Sequence, residues 1–482
     1  MPAVRVVRVM KSKTKRTTGT RKLRRDVVGG KRGNGHALQA QRKRVRRPNP
    51  AKIRMGSADP SLTGVAGLLP FGVFLRRAGL DAQLSAAFDE LKSGDAVVYP
   101  MSAQMRLLID ACAAGEQRVF GLEGLASDPL FVELAGGTVP SIDTVYRDLT
   151  RMDCLQNAKL ELILAQRGLD ALKTTRAERV HCDIDTTVEP LFGEQEGAEL
   201  GYNPRYRGRP SYHPILAMVA ETGTCVGARL RPGDVGLGNE DAELIGAYVR
   251  RVVHHVPAQT GVVVRIDAGA DCTQILRALD DVPGALFIVK ARLTPDLAGE
   301  VMMAPGWATV EEDADGEPLV QVTELNFQRD EWTQIQRRFR VIAVRRRDRD
   351  TGKQIQLWSQ LDFSVQVFIT NDTISDPWDI AQDYDGRAEI EPRIAELKNG
   401  VGIAKVPTSH FEANHAMMLI KLLTHNLMRA YAVATAPDLH WRGPWLSRAL
   451  IRVPGRLSRS GRQQRLHTPP ASRVHQIQRQ LC

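Results

Sequence analysis

At 482 residues, with 43% hydrophobic and 25% charged side chains, the chain is long enough for about two to four domains with apolar cores. Its six cysteines show no CxxC spacing, which argues against a zinc site or a disulfide framework and indicates a reducing, cytoplasmic setting. Net charge is +18 over residues 1–54, −16 over residues 55–440 and +9 over residues 441–482, so the basic ends favour a polyanionic partner.

Residues 1–54 are basic and poor in apolar side chains, which predicts a disordered arm. This segment is either a nucleic-acid-binding arm or sequence upstream of a start at Met55. Residues 55–175 show apolar side chains at helical spacing and are interpreted as a helical N-terminal DNA-binding domain. Within it, PSIDTVYRDLTRM is similar to the second helix of a helix-turn-helix, although generic helical packing is the better explanation for most of the region.

Residues 176–290 change to the two-residue period of β-strands. RVHCDIDTTV places Val180, Cys182 and Ile184 on one face of a strand and His181, Asp183 and Asp185 on the other. GVVVRIDAGAD contains an apolar run typical of a strand covered on both faces, and this run ends at Asp267. Both strands therefore end in acidic residues.

The remainder of the chain first breaks this strand and helix pattern and then returns to it. Residues 291–362 contain charged, strand-like pieces and are interpreted as a β-rich insertion, after which residues 363–435 return to strand and helix. Within the latter, the apolar segment from Met417 to Met428 is too short to span a bilayer and predicts a core helix. Residues 436–482 form a basic C-terminal segment. The fold class is therefore α/β, a mixed sheet with flanking helices.

The stretch YDGRAEIEPRIAELKNG places Tyr384, Arg387, Glu391 and Lys398 on one face of a helix, with Glu391 half-buried at the border of an apolar stripe. A simple alternative is an amphipathic surface helix with an ion pair between Arg387 and Glu391. Pro392 would clash with the carbonyl of Ala388 in a continuous helix, so the helix is expected to kink or restart there.

Three acidic residues far apart in the sequence form a candidate metal site. Asp185, Asp267 and Glu391 could supply hard oxygen ligands to two Mg²⁺ ions roughly 3.5 to 4 Å apart, the arrangement that phosphoryl transfer uses. Each acid alone also has a structural explanation, as a turn cap or an ion-pair partner.

Several stretches together resemble the DDE insertion-sequence transposases, in particular the group with a Tyr-Arg-Glu-Lys pattern and a β-rich insertion before the glutamate. They are DIDTT at residues 183–187, RIDAGAD at 265–271, the Tyr384 to Lys398 pattern, FGEQEGAELGYNPRYRGRPSYHP at 192–214, and ELKNGVGIAKVPTSHFEANHAMMLIKLLTHNLMR at 396–429. The resemblance extends from about residue 58 to about residue 467. It implies an RNase H-like fold.

The resemblance also implies roles for individual residues and partners. The catalytic metal ligands would be Asp185, Asp267 and Glu391, with Asp183 as an alternative to Asp185. The DNA contacts would be Tyr384, Arg387, Lys398, Arg205, Arg207, Arg209 and Tyr212. The cofactor would be Mg²⁺, for which Mn²⁺ can substitute.

The expected activity is cleavage of double-stranded DNA at terminal inverted repeats, followed by joining of the freed 3′ hydroxyl to target DNA. The enzyme would act as a homodimer in a synaptic complex, associated with the nucleoid and without a membrane. Two alternatives remain: a catalytically inactive DNA-binding relative, and an RNase H-like nuclease without strand transfer.

Overall fold

A nine-stranded mixed sheet lies at the centre of the computed structural model. The structure describes residues 50, 53–173, 175–203, 206–347, 363–439 and 442–481. Within these residues the strands are β1 (Leu62–Thr63), β2 (Arg179–Thr186), β3 (Glu189–Pro190), β4 (Ser211–Tyr212), β5 (Ile215–Val219), β6 (Thr224–Arg229), β7 (Gly261–Ile266), β8 (Ala285–Lys290), β9 (Ala308–Glu312), β10 (Pro318–Leu325), β11 (Arg340–Arg347), β12 (Phe363–Thr370), β13 (Gly455–Ser460) and β14 (Gln463–His467).

Helices cover both faces of this sheet. In the described part of the chain the α-helices are α1 (Leu68–Arg77), α2 (Leu80–Phe88), α3 (Met101–Ala113), α4 (Leu122–Leu125), α5 (Pro129–Leu134), α6 (Ile142–Leu149), α7 (Cys154–Leu169), α8 (Ala242–His255), α9 (Thr273–Asp280), α10 (Pro295–Met303), α11 (Asp330–Gln334), α12 (Pro377–Asp385), α13 (Ile390–Asn399), α14 (Phe411–Thr435), α15 (Gly443–Leu446) and α16 (Arg473–Leu481). None of the helices described is long and apolar enough to cross a bilayer.

The strand order across the large sheet is β6-β5-β2-β7-β8-β12-β11-β10-β9. Strands β2, β7 and β8 run parallel, whereas β5 is antiparallel to both β2 and β6. We number the strands of this sheet by their order along the chain, so that β2 is first, β5 second, β6 third, β7 fourth and β8 fifth. The first five positions across the sheet then read 3-2-1-4-5, which is the RNase H-like arrangement. The α/β fold class expected from the sequence is confirmed.

The apolar run in β7 explains why this strand occupies the middle of the sheet. Val262, Val264 and Ile266 pack into the core on one face, while Val263 packs into a separate core on the other face. All four are at most 2% exposed. A strand covered on both faces needs such a continuous run, because neither face is available for polar side chains.

The β-rich insertion extends the same sheet. Strand β10 pairs antiparallel with β9 and with β11, β11 pairs antiparallel with β12, and β12 pairs antiparallel with β8. The part of the predicted insertion from residue 348 to residue 362 lies outside the described residues.

Helix α14 forms the centre of the largest core. Every residue from 413 to 428 is buried, which confirms the predicted core helix. Two of its polar side chains donate to backbone oxygens: Lys421 Nζ to Gly402 O at 2.7 Å, and Asn426 Nδ2 to Cys225 O at 2.7 Å. This pairing is what allows a lysine and an asparagine to lie inside an apolar core.

The chain separates into a small unit, residues 1–59, and a large unit, residues 60–482. Of the predicted arm at residues 1–54, all but residues 50, 53 and 54 lie outside the described part of the chain. In the large unit, helices of the predicted N-terminal domain share one core with residues 390–451. The domain boundaries drawn from the sequence stay a prediction.

Candidate active site

Two of the predicted catalytic acids lie side by side at the ends of adjacent parallel strands. The register pairs Ile184 of β2 with Ile266 of β7. Asp185 and Asp267 are the residues that directly follow this pair. Asp267 caps the turn that follows, since its Oδ1 accepts from the N–H of Gly269 at 2.9 Å. Because the carboxyl ends of parallel strands meet at one sheet edge, the sheet itself places these two carboxylates together.

Glu391 reaches the site from a separate helix. Helix α12 ends at Asp385, residues 386–389 form a 3₁₀ turn, and α13 begins at Ile390. The helix therefore restarts at Ile390, two residues before Pro392, where a kink or restart was expected, and Glu391 stands in the first turn of α13. Its side chain is exposed, so the expectation that it is half-buried is wrong; the restart turns it out of the apolar stripe. The stripe itself is buried as predicted, with Ile390 and Leu397 at most 1% exposed.

Asp267 and Glu391 both act electrostatically on Asp185. Burial raises the pKa of Asp185 to about 6; the positive charge of Arg387 opposes this rise, whereas the charges of Asp267 and Glu391 add to it. Within the described residues, however, no group of three or more His, Cys, Asp or Glu side chains stands in a metal-holding arrangement. Asp267 and Glu391 are thus close enough to Asp185 to affect it electrostatically, but the oxygens of the three acids do not form a coordination shell.

Arg387 occupies the space beside Asp185. Its guanidinium lies 3.2 Å from Asp185 Oδ1 and donates to the carbonyl of Ile184 at 3.4 Å. Tyr384 packs against Phe368, with ring centroids 4.6 Å apart. Burial raises the pKa of Tyr384 to about 12, while its side-chain hydrogen bond with Arg387 acts in the opposite direction. Tyr384 is only 8% exposed, so its side chain faces Phe368 and Arg387 rather than solvent.

Lys398 is held at the loop that follows β2. Its Nζ donates to the carbonyl of Val188 at 2.9 Å. The neighbouring Glu189 is 1% exposed, and burial raises its pKa to about 7 against the opposing charge of Lys398. Glu189 was not identified from the sequence. Its only signal there is its position four residues after Asp185, which by itself indicates no role.

Asp183 is fully engaged in a buried ion pair. Its Oδ1 accepts from Arg265 Nε at 2.6 Å, and its Oδ2 accepts from Arg265 Nη2 at 2.8 Å. The two side chains are at most 4% exposed. Arg265 also donates to the carbonyl of Asp383 at 2.6 Å, which ties the C-terminal end of α12 to the sheet.

The predicted basic loop divides into exposed and buried members. Arg207 and Arg209 are exposed, and the Arg209 guanidinium lies 4.4 Å from the ring centre of Phe192. Arg205 lies outside the described residues. Tyr212 is 0% exposed; its hydroxyl donates to the carbonyl of Glu196 at 2.7 Å and accepts from Asn414 at 3.1 Å. The prediction that Tyr212 contacts DNA is therefore wrong, because core packing removes it from the surface.

Known proteins that resemble this chain indicate the family to which it belongs. Among solved structures nine chains match; one is a cryo-electron-microscopy structure of a piggyBac transposase synaptic complex with hairpin DNA. That chain shares 10% identity with this one at a TM-score of 0.42, over 80% of this chain and 79% of the other. No curated protein matches.

The family profile described as transposase DDE domain group 1 matches residues 49–481. This span includes both strand-end aspartates, the interrupted helix with Glu391, and the β-rich insertion. It covers far more than half of the sequence. The chain therefore belongs to the transposase DDE domain family, group 1.

Proposed function

We propose that this transposase serves a bacterial-type insertion sequence: it binds the terminal inverted repeats, cleaves DNA at the element ends, and joins the freed 3′ hydroxyl to target DNA. Members of the DDE family are DNA cleavage and strand-transfer enzymes that generally use divalent metal ions. For this chain we propose Mg²⁺, with Mn²⁺ as a substitute. We further propose a homodimer in the synaptic complex, acting at the nucleoid where its substrate DNA lies.

The observation that carries this proposal is the placement of the three acids. Asp185 and Asp267 follow a shared register position on two adjacent parallel strands, and both Asp267 and Glu391 raise the pKa of Asp185. Like charges brought close enough to shift a pKa are costly unless a cation compensates them. The site therefore has the character of a cation-binding site.

The donor set fits magnesium. Two aspartates and one glutamate offer hard carboxylate oxygens, which Mg²⁺ prefers, and leave positions for water and for a phosphate oxygen. When bound, such ions activate the attacking oxygen and stabilise the leaving oxygen in an in-line displacement. Asp183 is not counted among the ligands, since both of its oxygens accept hydrogen bonds from Arg265.

The neighbouring basic groups are suited to orient a phosphate. Arg387 lies beside Asp185, and a guanidinium can bind two phosphate oxygens at once. Lys398, held at the loop after β2, would supply a second positive charge. Because Tyr384 is buried against Phe368 and interacts with Arg387, we assign it the positioning of Arg387. Arg207 and Arg209, both exposed, would contact the backbone of the transposon end.

The test is cleavage of labelled DNA that carries the inverted repeats flanking the reading frame. We expect Asp267→Ala and Glu391→Ala each to reduce Mg²⁺-dependent cleavage by about a thousandfold or more, equivalent to about 4 kcal/mol of transition-state stabilisation, while DNA binding persists. Glu389→Ala is the matched control, because Glu389 is an exposed acid only two residues from Glu391. Normal cleavage by either test variant would refute the site assignment.

The products of the wild-type protein separate the alternatives. Nicks at the element boundary together with joined products support transposition. Nicks without joining indicate an RNase H-like nuclease, and a shifted but uncut band indicates an inactive DNA-binding relative. Either of these last two results would overturn the proposed function.

A further inference from the structure

The C-terminal region contains a β-hairpin of unusual charge. Strands β13 and β14 pair from Arg456 opposite His467 to Ser460 opposite Gln463, and a two-residue loop of Gly461 and Arg462 joins them. Gly461 has φ +61°, the left-handed conformation that such tight hairpin loops require. Asp438 is the last acidic residue in the sequence, so the hairpin carries four arginines and no acid.

The hairpin is anchored at its base only. β1 pairs with Gly455 and Arg456 of β13, and the N–H of Leu457 donates to the carbonyl of Ser61 at 2.8 Å. Leu466 packs against the small core formed by Ala66, Val453 and Val474. From Arg459 to Arg465 every residue is exposed. At about 3.4 Å per residue, roughly 15 Å of two-stranded ribbon extends beyond its anchor.

One face of this ribbon is entirely polar. Because opposite residues and every second residue share a face, the register assigns one side to Arg456, Ser458, Ser460, Gln463, Arg465 and His467. The other side carries the anchoring Leu457 and Leu466, followed towards the tip by Arg459 and Gln464. Apolar side chains therefore occur only where the hairpin meets the body.

The arginines at the tip have no partners in the part of the chain that the structure describes. Arg459, Arg462 and Arg465 are all exposed, and none of the ion pairs and side-chain hydrogen bonds among the described residues involves them. By contrast, many arginines of the sheet are paired; Arg340, for example, binds Glu324 at 2.8 Å. A cluster of unneutralised positive charge on a narrow ribbon calls for an external anion.

We infer that the hairpin of residues 455–467 is a DNA-docking ribbon that lies in the major groove of duplex DNA. The major groove, about 12 Å wide, admits a two-stranded ribbon, and arginine, glutamine and serine are side chains that bond to base edges there. The charge complements the phosphates that border the groove. This inference rests on the proposed DNA-cleaving function and adds a binding surface separate from the acidic site.

The experiment measures binding of the full chain to a 30-base-pair mixed-sequence duplex by fluorescence anisotropy over a salt series. The test variant is Arg459→Gln, Arg462→Gln and Arg465→Gln combined. The control combines Arg76→Gln, Arg250→Gln and Arg338→Gln, three exposed arginines elsewhere with the same total charge change. We expect the test variant to bind about tenfold or more weakly and its salt slope to fall by about 3, while the control slope changes by less than about 1.

The outcomes separate this inference from the proposed function. Wild-type affinity and salt slope in the test variant, with the wild-type protein binding and cutting its repeats, would overturn the docking ribbon alone. Failure of the wild-type protein to bind or cut DNA would overturn the proposed function and, with it, the ribbon. If the test variant keeps its DNA affinity but loses self-association in sedimentation, the hairpin instead binds the acidic body of a second copy, and the inference is wrong.

Discussion

Asp183 and Asp185 share one face of β2, two residues apart, yet their surroundings give them different chemistry. Asp183 is 2% exposed, and both of its oxygens accept from Arg265. Asp185 lies two residues further along, near the end of the strand, where its side chain is 14% exposed and faces Arg387. The sequence alternation places both acids on the same side, but only the position of Arg265 on the neighbouring strand distinguishes them.

The two aspartates should therefore respond differently to the same substitution. Asp183→Asn leaves the buried Arg265 charge without its partner, so we expect a loss of about 3 to 5 kcal/mol in unfolding free energy. Asp185→Asn removes a carboxylate whose charge is only partly compensated by Arg387. This change should leave stability close to wild type and abolish cleavage. Urea denaturation and the cleavage assay measure the two effects.

A double replacement tests whether Asp183 acts only through stability. Asp183→Leu combined with Arg265→Met removes both buried charges together, and such exchanges are often neutral or stabilising. We expect this variant to recover most of the stability lost by Asp183→Asn and to retain cleavage. A stable double variant that cannot cleave DNA would show that the site needs either Asp183 itself or the contact of Arg265 with the carbonyl of Asp383.

Among the secondary-structure elements, the interrupted helix from Pro377 to Asn399 shows how sequence and structure differ. The apolar spacing correctly placed Ile390, Ile394 and Leu397 in the core. The 3₁₀ turn at residues 386–389 was not predicted, and the side chain packed against it comes from a distant part of the sequence. Arg265 on β7 donates to the carbonyl of Asp383, and a Cβ at Gly386 would lie 2.6 Å from Arg265 Nη1.

Pro392 is compatible with this arrangement. It is the third residue of α13, where the backbone N–H would have no partner within the helix. We expect Pro392→Ala to change unfolding free energy by no more than about 1 kcal/mol and to leave cleavage intact. Ala395→Pro, an exposed position in the interior of the same helix, is the control and should cost about 3 kcal/mol. A gain near 3 kcal/mol from Pro392→Ala, measured by urea denaturation, would show that the proline strains the helix.

At the scale of the whole molecule, local patterns predicted the strands but not what packs on them. The apolar run of β7 and the alternation of β2 correctly indicated a mixed sheet. The loop carrying Tyr212 gave no local sign of burial, because Tyr212 is covered by Asn414 of α14, 202 residues later. The insertion was predicted as β-rich, but its continuation of the main sheet depends on pairing between β8 and β12, which no local pattern encodes.

The same long-range packing joins the N-terminal helices to the end of the chain. Phe71 of α1 lies edge-on to Tyr431 of α14, with ring centroids 5.3 Å apart. Asn157 of α7 donates to the carbonyl of Glu412 at 3.0 Å, and Ser447 donates to the carbonyl of Ala113 at 2.7 Å. The helical region before residue 175 therefore completes its core with residues from beyond residue 410.

This shared core predicts that the helical region does not fold alone. A fragment of residues 60–175 lacks α14, whose residues 413–428 are all buried in the intact chain, so its own apolar surface would remain in contact with water. We expect the fragment to melt without a cooperative transition in circular dichroism and to bind the apolar dye ANS, whereas the full chain melts cooperatively. A sharp melting transition without dye binding would instead show that residues 60–175 are an independent domain, because their own contacts would then suffice to close the core.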